Sequence, residues 1–128
     1  MTYDWIELDT VLVVHDMQIE AHGGATGIRD IGLIESALGR PRNLLHYGSP
    51  GVVELAAAYG FALAKNHGFV DGNKRTAYVV TRLFLRLHGM DFIASPVERV
   101  LAFEQLAKGG TSAEDFTQWL KNNCRKLR

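Results

Sequence analysis

The chain has 128 residues, 47% of them hydrophobic, and its 14 basic and 14 acidic side chains cancel to a formal charge of zero. That size and composition suit one compact domain over 1–128, and a neutral whole supplies no field to draw it onto nucleic acid or an anionic membrane. A lone cysteine, Cys124, excludes an intramolecular disulfide and a thiolate cluster, and no signal peptide or apolar run of about 20 residues is found, so a cytoplasmic protein is expected.

Taken in order, the segments read almost entirely as helix. Leu8, Leu12, His15 and Ile19 recur at helical spacing and predict a helix over 8–21 that ends at Gly23-Gly24, with His15 a hydrogen-bonded core residue. A loop follows. Asp30 then caps a short helix whose Ile31, Ile34 and Leu38 face inward and which Gly39 and Pro41 stop. Residues 40–51 show no period and carry turn formers, so an irregular segment is expected there, with His46 in it. The next helix, 52–66, has Ala56, Ala57, Ala58, Gly60, Ala62 and Ala64 around nearly every side, which suits a central helix that its neighbours approach closely.

A further helix runs from Thr76 to Leu87, with Ala77, Val80, Phe84 and Leu87 on one stripe and Arg75, Tyr78, Arg82 and Arg86 on another face. Arg86 lies far along it and is expected to take no part in the site. Met90 to Ala94 suggests a short extended piece without an obvious partner strand. Ser95-Pro96-Val97-Glu98 is a capping box with proline at the first helical position, and Ser112 to Asp115 is a weaker start after Gly109-Gly110. His22 and His88 suit helix C-termini, as does the basic end of Lys121, Arg125, Lys126 and Arg128.

The chemistry concentrates in His67-Gly68-Phe69-Val70-Asp71-Gly72-Asn73-Lys74-Arg75, which sits between two helices and opens into the second. The first turn of a helix offers free N–H groups and the positive end of the macrodipole, so this is a ready anion site, and Gly72 lets the main chain come close. His67 has the chemistry of a base beside that site. Phe69 reads as a structural anchor. Asp71 is either an N-cap of the following helix or a ligand for a hard cation. Asn73 offers amide donors to phosphate, and Lys74 and Arg75 supply positive charge where a helix start disfavours cations unless an anion lies there.

The pattern H-x-F-x-D-G-N-K-R resembles the core motif of the Fic/Doc family, and Lys74 makes it similar to the death-on-curing (Doc) toxin branch. Gly23-Gly24, Gly27-Ile28-Arg29-Asp30 and the helices after the motif recur in the same order in that branch. The resemblance implies an all-α, compact Fic-fold helical bundle with a central motif-bearing helix and an irregular flap, assigned to the 40–51 region, that docks the target. It implies that His67 deprotonates a target hydroxyl and that Asp71 holds a magnesium ion bridging the phosphates of ATP.

Two departures from the nucleotidylating branch carry meaning: Lys74 stands where that branch has a glycine, and Tyr78 where it has a second arginine. In the Doc branch this implies a reversed nucleotide with its γ-phosphate beside the histidine, hence phosphorylation of a translation factor, elongation factor Tu, and arrest of protein synthesis. AMP transfer and a catalytically inactive antitoxin-binding module stand as alternatives. No glutamate here has Ser or Thr four places before it, so the family's inhibitory helix is not found in this chain. Restraint is then expected in trans, from a Phd-like antitoxin.

Overall fold

The computed structural model describes residues 2–127. Among them are six helices, α1 (Leu8–His22), α2 (Ile31–His46), α3 (Val52–Asn66), α4 (Asn73–Leu87), α5 (Pro96–Ala107) and α6 (Ala113–Asn122). Two short strands, β1 (Met90–Phe92) and β2 (Cys124–Lys126), complete the described structure. The architecture is the expected all-α bundle.

The alanine-rich α3 is its axis, with α4, α2, α6 and α5 packed around it. Leu55, Ala56, Ala57, Tyr59, Gly60 and Ala62 to Ala64 are all buried. Small side chains make the close approach possible, and at Gly60 no other residue fits: a Cβ there would collide with Thr81 Oγ1 of α4 and press to 3.2 Å on the Phe116 ring of α6. The motif loop, residues 67–72, joins this central helix to α4, so its two ends are anchored in the best-packed part of the molecule.

Four expectations are corrected. Gly39 and Pro41 do not stop α2, which runs on to His46 and leaves only Tyr47 to Gly51 irregular, so most of the proposed 40–51 flap is helix. An interior proline forfeits a hydrogen bond and costs about 3 kcal/mol by itself. Here Pro41 shares a buried stripe with Ile34 and Ala37, and the turn around it is tied down on both sides. Arg40 lies 5.4 Å over the Phe61 ring, while Arg42 covers Trp5 at 5.2 Å and pairs with Glu7. Packing outweighs the local penalty.

The extended piece at Met90 does have a partner. It pairs antiparallel with the C-terminal tail, in the register Met90 to Lys126 and Phe92 to Cys124. Arg125 and Lys126 are therefore on a strand and not in a last helical turn, because α6 ends at Asn122; Arg128 lies outside the described residues. Finally, the stripes are narrower than read: Ile31 and Leu87 are exposed, while Ile34 and Phe84 are buried.

The joint between α4 and β1 is electrostatic. Asp91 accepts two parallel bonds from Arg82 at 3.0 Å each and a third from Arg86 at 2.7 Å, so Arg86 is part of the scaffold. Burial pushes the Asp91 carboxyl upward, but these bonds and the Phe92 N–H more than offset it and hold the pKa down to about 2.

Candidate active site

The site is built on the end of one helix and the start of the next. At the end of α3, His67 adopts φ 50° and ψ 47°, and it is the one non-glycine residue with positive φ among the described residues. A side chain in that left-handed region costs about 1–2 kcal/mol, so the surroundings must hold it there. They do so through residues 27–30. Arg29 donates from Nε to the His67 carbonyl at 2.7 Å and from Nη2 to the Asn66 carbonyl at 3.2 Å, closing the C-terminus of α3 with a cation where the macrodipole favours one. The N–H groups of Arg29 and Asp30 both donate to the Gly68 carbonyl, at 2.8 and 2.9 Å. Gly68 is obligatory because a Cβ would collide with Ile34.

The same segment continues antiparallel to the motif loop, with Ile28 bridged to Phe69 and the Val70 N–H donating to the Gly27 carbonyl at 3.1 Å. The irregular chain lying on the motif is thus Gly23 to Asp30 and not residues 40–51. Phe69 is buried, as an anchor should be, and stacks on the His15 ring at 3.7 Å with 7° between planes. Asn73 brackets the Phe69 backbone, accepting from its N–H and donating to its carbonyl at 3.0 Å each, which leaves one amide N–H for anything in the cleft.

Asp71 does not cap α4. That position belongs to Gly72, at φ 77° with no side-chain cap. The exposed Asp71 carboxylate instead accepts from the Gly72 N–H at 2.9 Å and from the Ala25 N–H at 3.2 Å. Those bonds, Gly72 first, lower its pKa below the usual carboxylate range and keep it ionised. Gly24 is needed for this approach, since a Cβ on it would come within 2.8 Å of Asp71 Oδ2. Among the described residues, the first N–H groups of α4 have neither an intrahelical partner nor a side-chain cap.

Together His67, Asp71, Gly72, Asn73, Lys74 and Arg75 line an open cleft of about 540 Å³, closed on its other side by His22, Gly23, Gly24 and Ala107. Lys74 Nζ also reaches 3.7 Å from Glu104 Oε1 on α5. Neither the buried Phe69 nor His46 lines the cleft. His22, read from the sequence only as the end of α1, is in its wall. Arg29 gave no sequence signal of its own, and His15, read as a hydrogen-bonded core residue and found to be one, gave none of its link to the motif; a cation two residues after Gly27 and a histidine on a buried stripe become informative about the site only when the fold brings them to the motif.

An ionised carboxylate, a strained histidine and an uncapped helix start around one cleft are the means for handling a phosphorylated substrate. The profile of the Fic/DOC family matches residues 5–85. The chain belongs to the Fic/Doc family. Within it, the chain is 36% identical over 123 residues to the "Protein kinase doc" of Escherichia phage P1, covering 95% of this chain and 94% of that protein. It is 42% identical over 77 residues to the "Toxin Doc" of Mycolicibacterium smegmatis, covering 58% of each. The resemblance to the Doc branch agrees with the names of both relatives. No helix among the described residues is long and apolar enough to cross a membrane.

The donor set is compatible with a hard divalent cation that needs few protein ligands. Among the described residues no three His, Cys, Asp or Glu groups cluster, so a site that supplies every ligand is not present. A single ionised carboxylate beside a phosphate-binding helix start is how Mg²⁺ is commonly held, since that ion keeps several waters and leans on substrate phosphates.

Proposed function

We propose that this chain is a cytoplasmic Doc-type toxin that transfers the γ-phosphate of ATP to a Ser or Thr hydroxyl of a translation factor, elongation factor Tu, and that a Phd-like antitoxin restrains it in trans. What carries this reading is the single cleft in which His67, the Asp71 carboxylate and the free N–H groups of α4 converge. His67 takes the proton of the target hydroxyl as that oxygen bonds to the γ-phosphorus, and the bond from phosphorus to the β–γ bridging oxygen breaks to release ADP. Asp71 is the residue that would hold Mg²⁺, which when bound neutralises charge on the phosphate oxygens. The helix start, Lys74 and Arg75 fix the phosphates, and positioning of this kind supplies most of what phosphoryl transfer needs.

One observation favours a second reading. Lys74 leans toward Glu104, so the backbone at the start of α4 is less covered than a lysine folded over it would leave it, as AMP transfer would need. Incubating the chain and elongation factor Tu with ATP labelled on the γ- or the α-phosphate separates the two. Transfer of the γ label, with a phosphate-sized mass increment, is expected. Transfer of the α label would replace the kinase by an AMP-transferase, and transfer of neither to several translation factors would favour a binding module.

A further inference from the structure

His15 has no place in the chemistry above, yet it is the side chain that most directly joins α1 to the motif. It is 3% exposed, and its Nε2 lies 2.8 Å from the backbone carbonyl oxygen of Asp71. A carbonyl oxygen only accepts, so Nε2 carries the proton and donates. The same ring lies flat on Phe69 at 3.7 Å. It also forms the floor beneath the next residue, since a Cβ on Gly72 would sit 3.5 Å from the imidazole and 3.1 Å from Ile19 Cδ1.

The grip on Asp71 is two-sided, one side from α1 itself and the other from the turn that follows it. His15 holds the main chain of Asp71 from inside the core. The turn that leaves the same helix holds the carboxylate from outside, through the Ala25 N–H at 3.2 Å. With the backbone donor in place, the direction in which the carboxylate faces the cleft is set by a rigid helix and not by the loop alone. Without it, the Asp71 carbonyl would be free to turn about a backbone whose next residue is a glycine in the left-handed region.

We propose that His15 is the positioning residue of the cleft, fixing the Asp71–Gly72 turn through its Nε2–H bond to the Asp71 carbonyl and thereby the aim of the Asp71 carboxylate at a divalent cation and its nucleotide. The part that concerns the cation rests on the reading of the cleft given above; the part that concerns the turn does not. Outer-shell partners of a metal-binding carboxylate characteristically change metal affinity by about 10–100-fold when removed.

Two substitutions separate the hydrogen bond from the packing. His15→Phe keeps a flat ring on Phe69 and removes the donor, whereas His15→Gln places an amide N–H near the position of Nε2. Hydrogen exchange of the bonded amides of Ala25, Gly72 and Thr76, which donate to Asp71 Oδ2, Asp71 Oδ1 and the Gly72 carbonyl, is measured on the ligand-free chain, and Mn²⁺ binding in the presence of a non-hydrolysable ATP analogue is measured by electron paramagnetic resonance. His15→Phe, folded by circular dichroism, is expected to exchange at these amides about tenfold faster and to bind Mn²⁺ about tenfold more weakly. His15→Gln is expected to return both to within about threefold of the parent. Unchanged exchange at Ala25, Gly72 and Thr76 in His15→Phe overturns the proposal, as does an equal deficit in both variants. If the parent chain binds no Mn²⁺ with the analogue, the nucleotide reading fails and the aim toward a cation falls with it, while the exchange data still decide whether His15 holds the turn. A melting temperature lowered in both variants, with exchange raised evenly along the chain, shows a core histidine only and also overturns it.

Discussion

The guanidinium of Arg29 donates across 2.7 Å to the main-chain carbonyl of His67, the residue that carries the strained backbone of the site. The bond does two things at once. It satisfies a carbonyl that the end of α3 would otherwise leave unpaired, and it opposes relaxation of His67 out of the left-handed region. Removing it by Arg29→Ala is expected to cost about 1–2 kcal/mol in urea unfolding and to lower kcat about tenfold with little change in the KM for ATP. Arg29→Lys keeps the charge but not the fork, and should recover only part of either loss.

His67 itself should show stability and activity moving apart. In His67→Gly the left-handed conformation becomes free of strain, so the protein should gain up to about 1 kcal/mol while transfer falls by about 10²–10⁴ with the loss of the base. His67→Ala should lose the same activity with no gain in stability, since alanine keeps the strain. Full toxicity of either variant in cells lacking the antitoxin would remove His67 from the role of base.

The acid dependence of stability should come in good part from Asp91. Its pKa is depressed in the folded chain to about 2 from 3.8, so its contribution is complete above the unfolded value and disappears as the pH falls from about 4 toward 2. Allowing for solvent screening of the partly exposed arginines, Asp91→Asn should cost roughly 1–2 kcal/mol at neutral pH and flatten unfolding free energy over that acid range. Arg86→Ala, which the sequence offered as a neutral position, should share part of the stability loss through its 2.7 Å bond to Asp91 while leaving transfer per folded molecule unchanged.

How far the sequence carried can be judged from where it stopped. Helices α1, α3 and α4 were legible because apolar or small residues at the helical period coincide with capping and glycine signals, and the motif was legible because its spacing is rigid. Pro41 misled because its penalty is local whereas the stripe Ile34, Ala37 and Pro41 and the cation contacts of Arg40 and Arg42 are tertiary. The pairing of β1 with β2 was out of reach, since three-residue strands have no period to read and the partners lie at 90–92 and 124–126. For the same reason the roles of Arg29 and His15, each joined to the motif across about forty or more residues, needed the fold.

Thr76 offers a test of the packing under the site. Its hydroxyl oxygen is fully buried with no hydrogen-bond partner among the described residues, beside Phe69 and Asn73 in the small hollow between α2, α3 and the start of α4. A buried hydroxyl left without a partner is destabilising, so the near-isosteric Thr76→Val should hold stability level or raise it by up to about 1 kcal/mol in urea unfolding, with transfer unchanged. A loss of more than about 1 kcal/mol would mean that the hydroxyl has a partner in solution.

Lys74 bears on which phosphate is transferred, and its pairing with Glu104 makes the test sharper. If the lysine side chain turns from Glu104, 3.7 Å away, into the space in which a glycine backbone would cradle the α- and β-phosphates once ATP is bound, then deleting it should open that space. Lys74→Gly is expected to lower γ-phosphate transfer at least tenfold and to raise any α-label transfer above the parent's level, at up to about 1 kcal/mol of helix stability that a melting curve will register. Glu104→Gln removes only the anchor. It should leave the type of transfer as it is and lower the KM for ATP a few-fold, because the ammonium is then free to turn from the carboxylate to the phosphates. Should Lys74→Gly keep parental γ transfer, orientation must be set by Arg75 and the α4 backbone instead, and the assignment of Lys74 to that task is withdrawn.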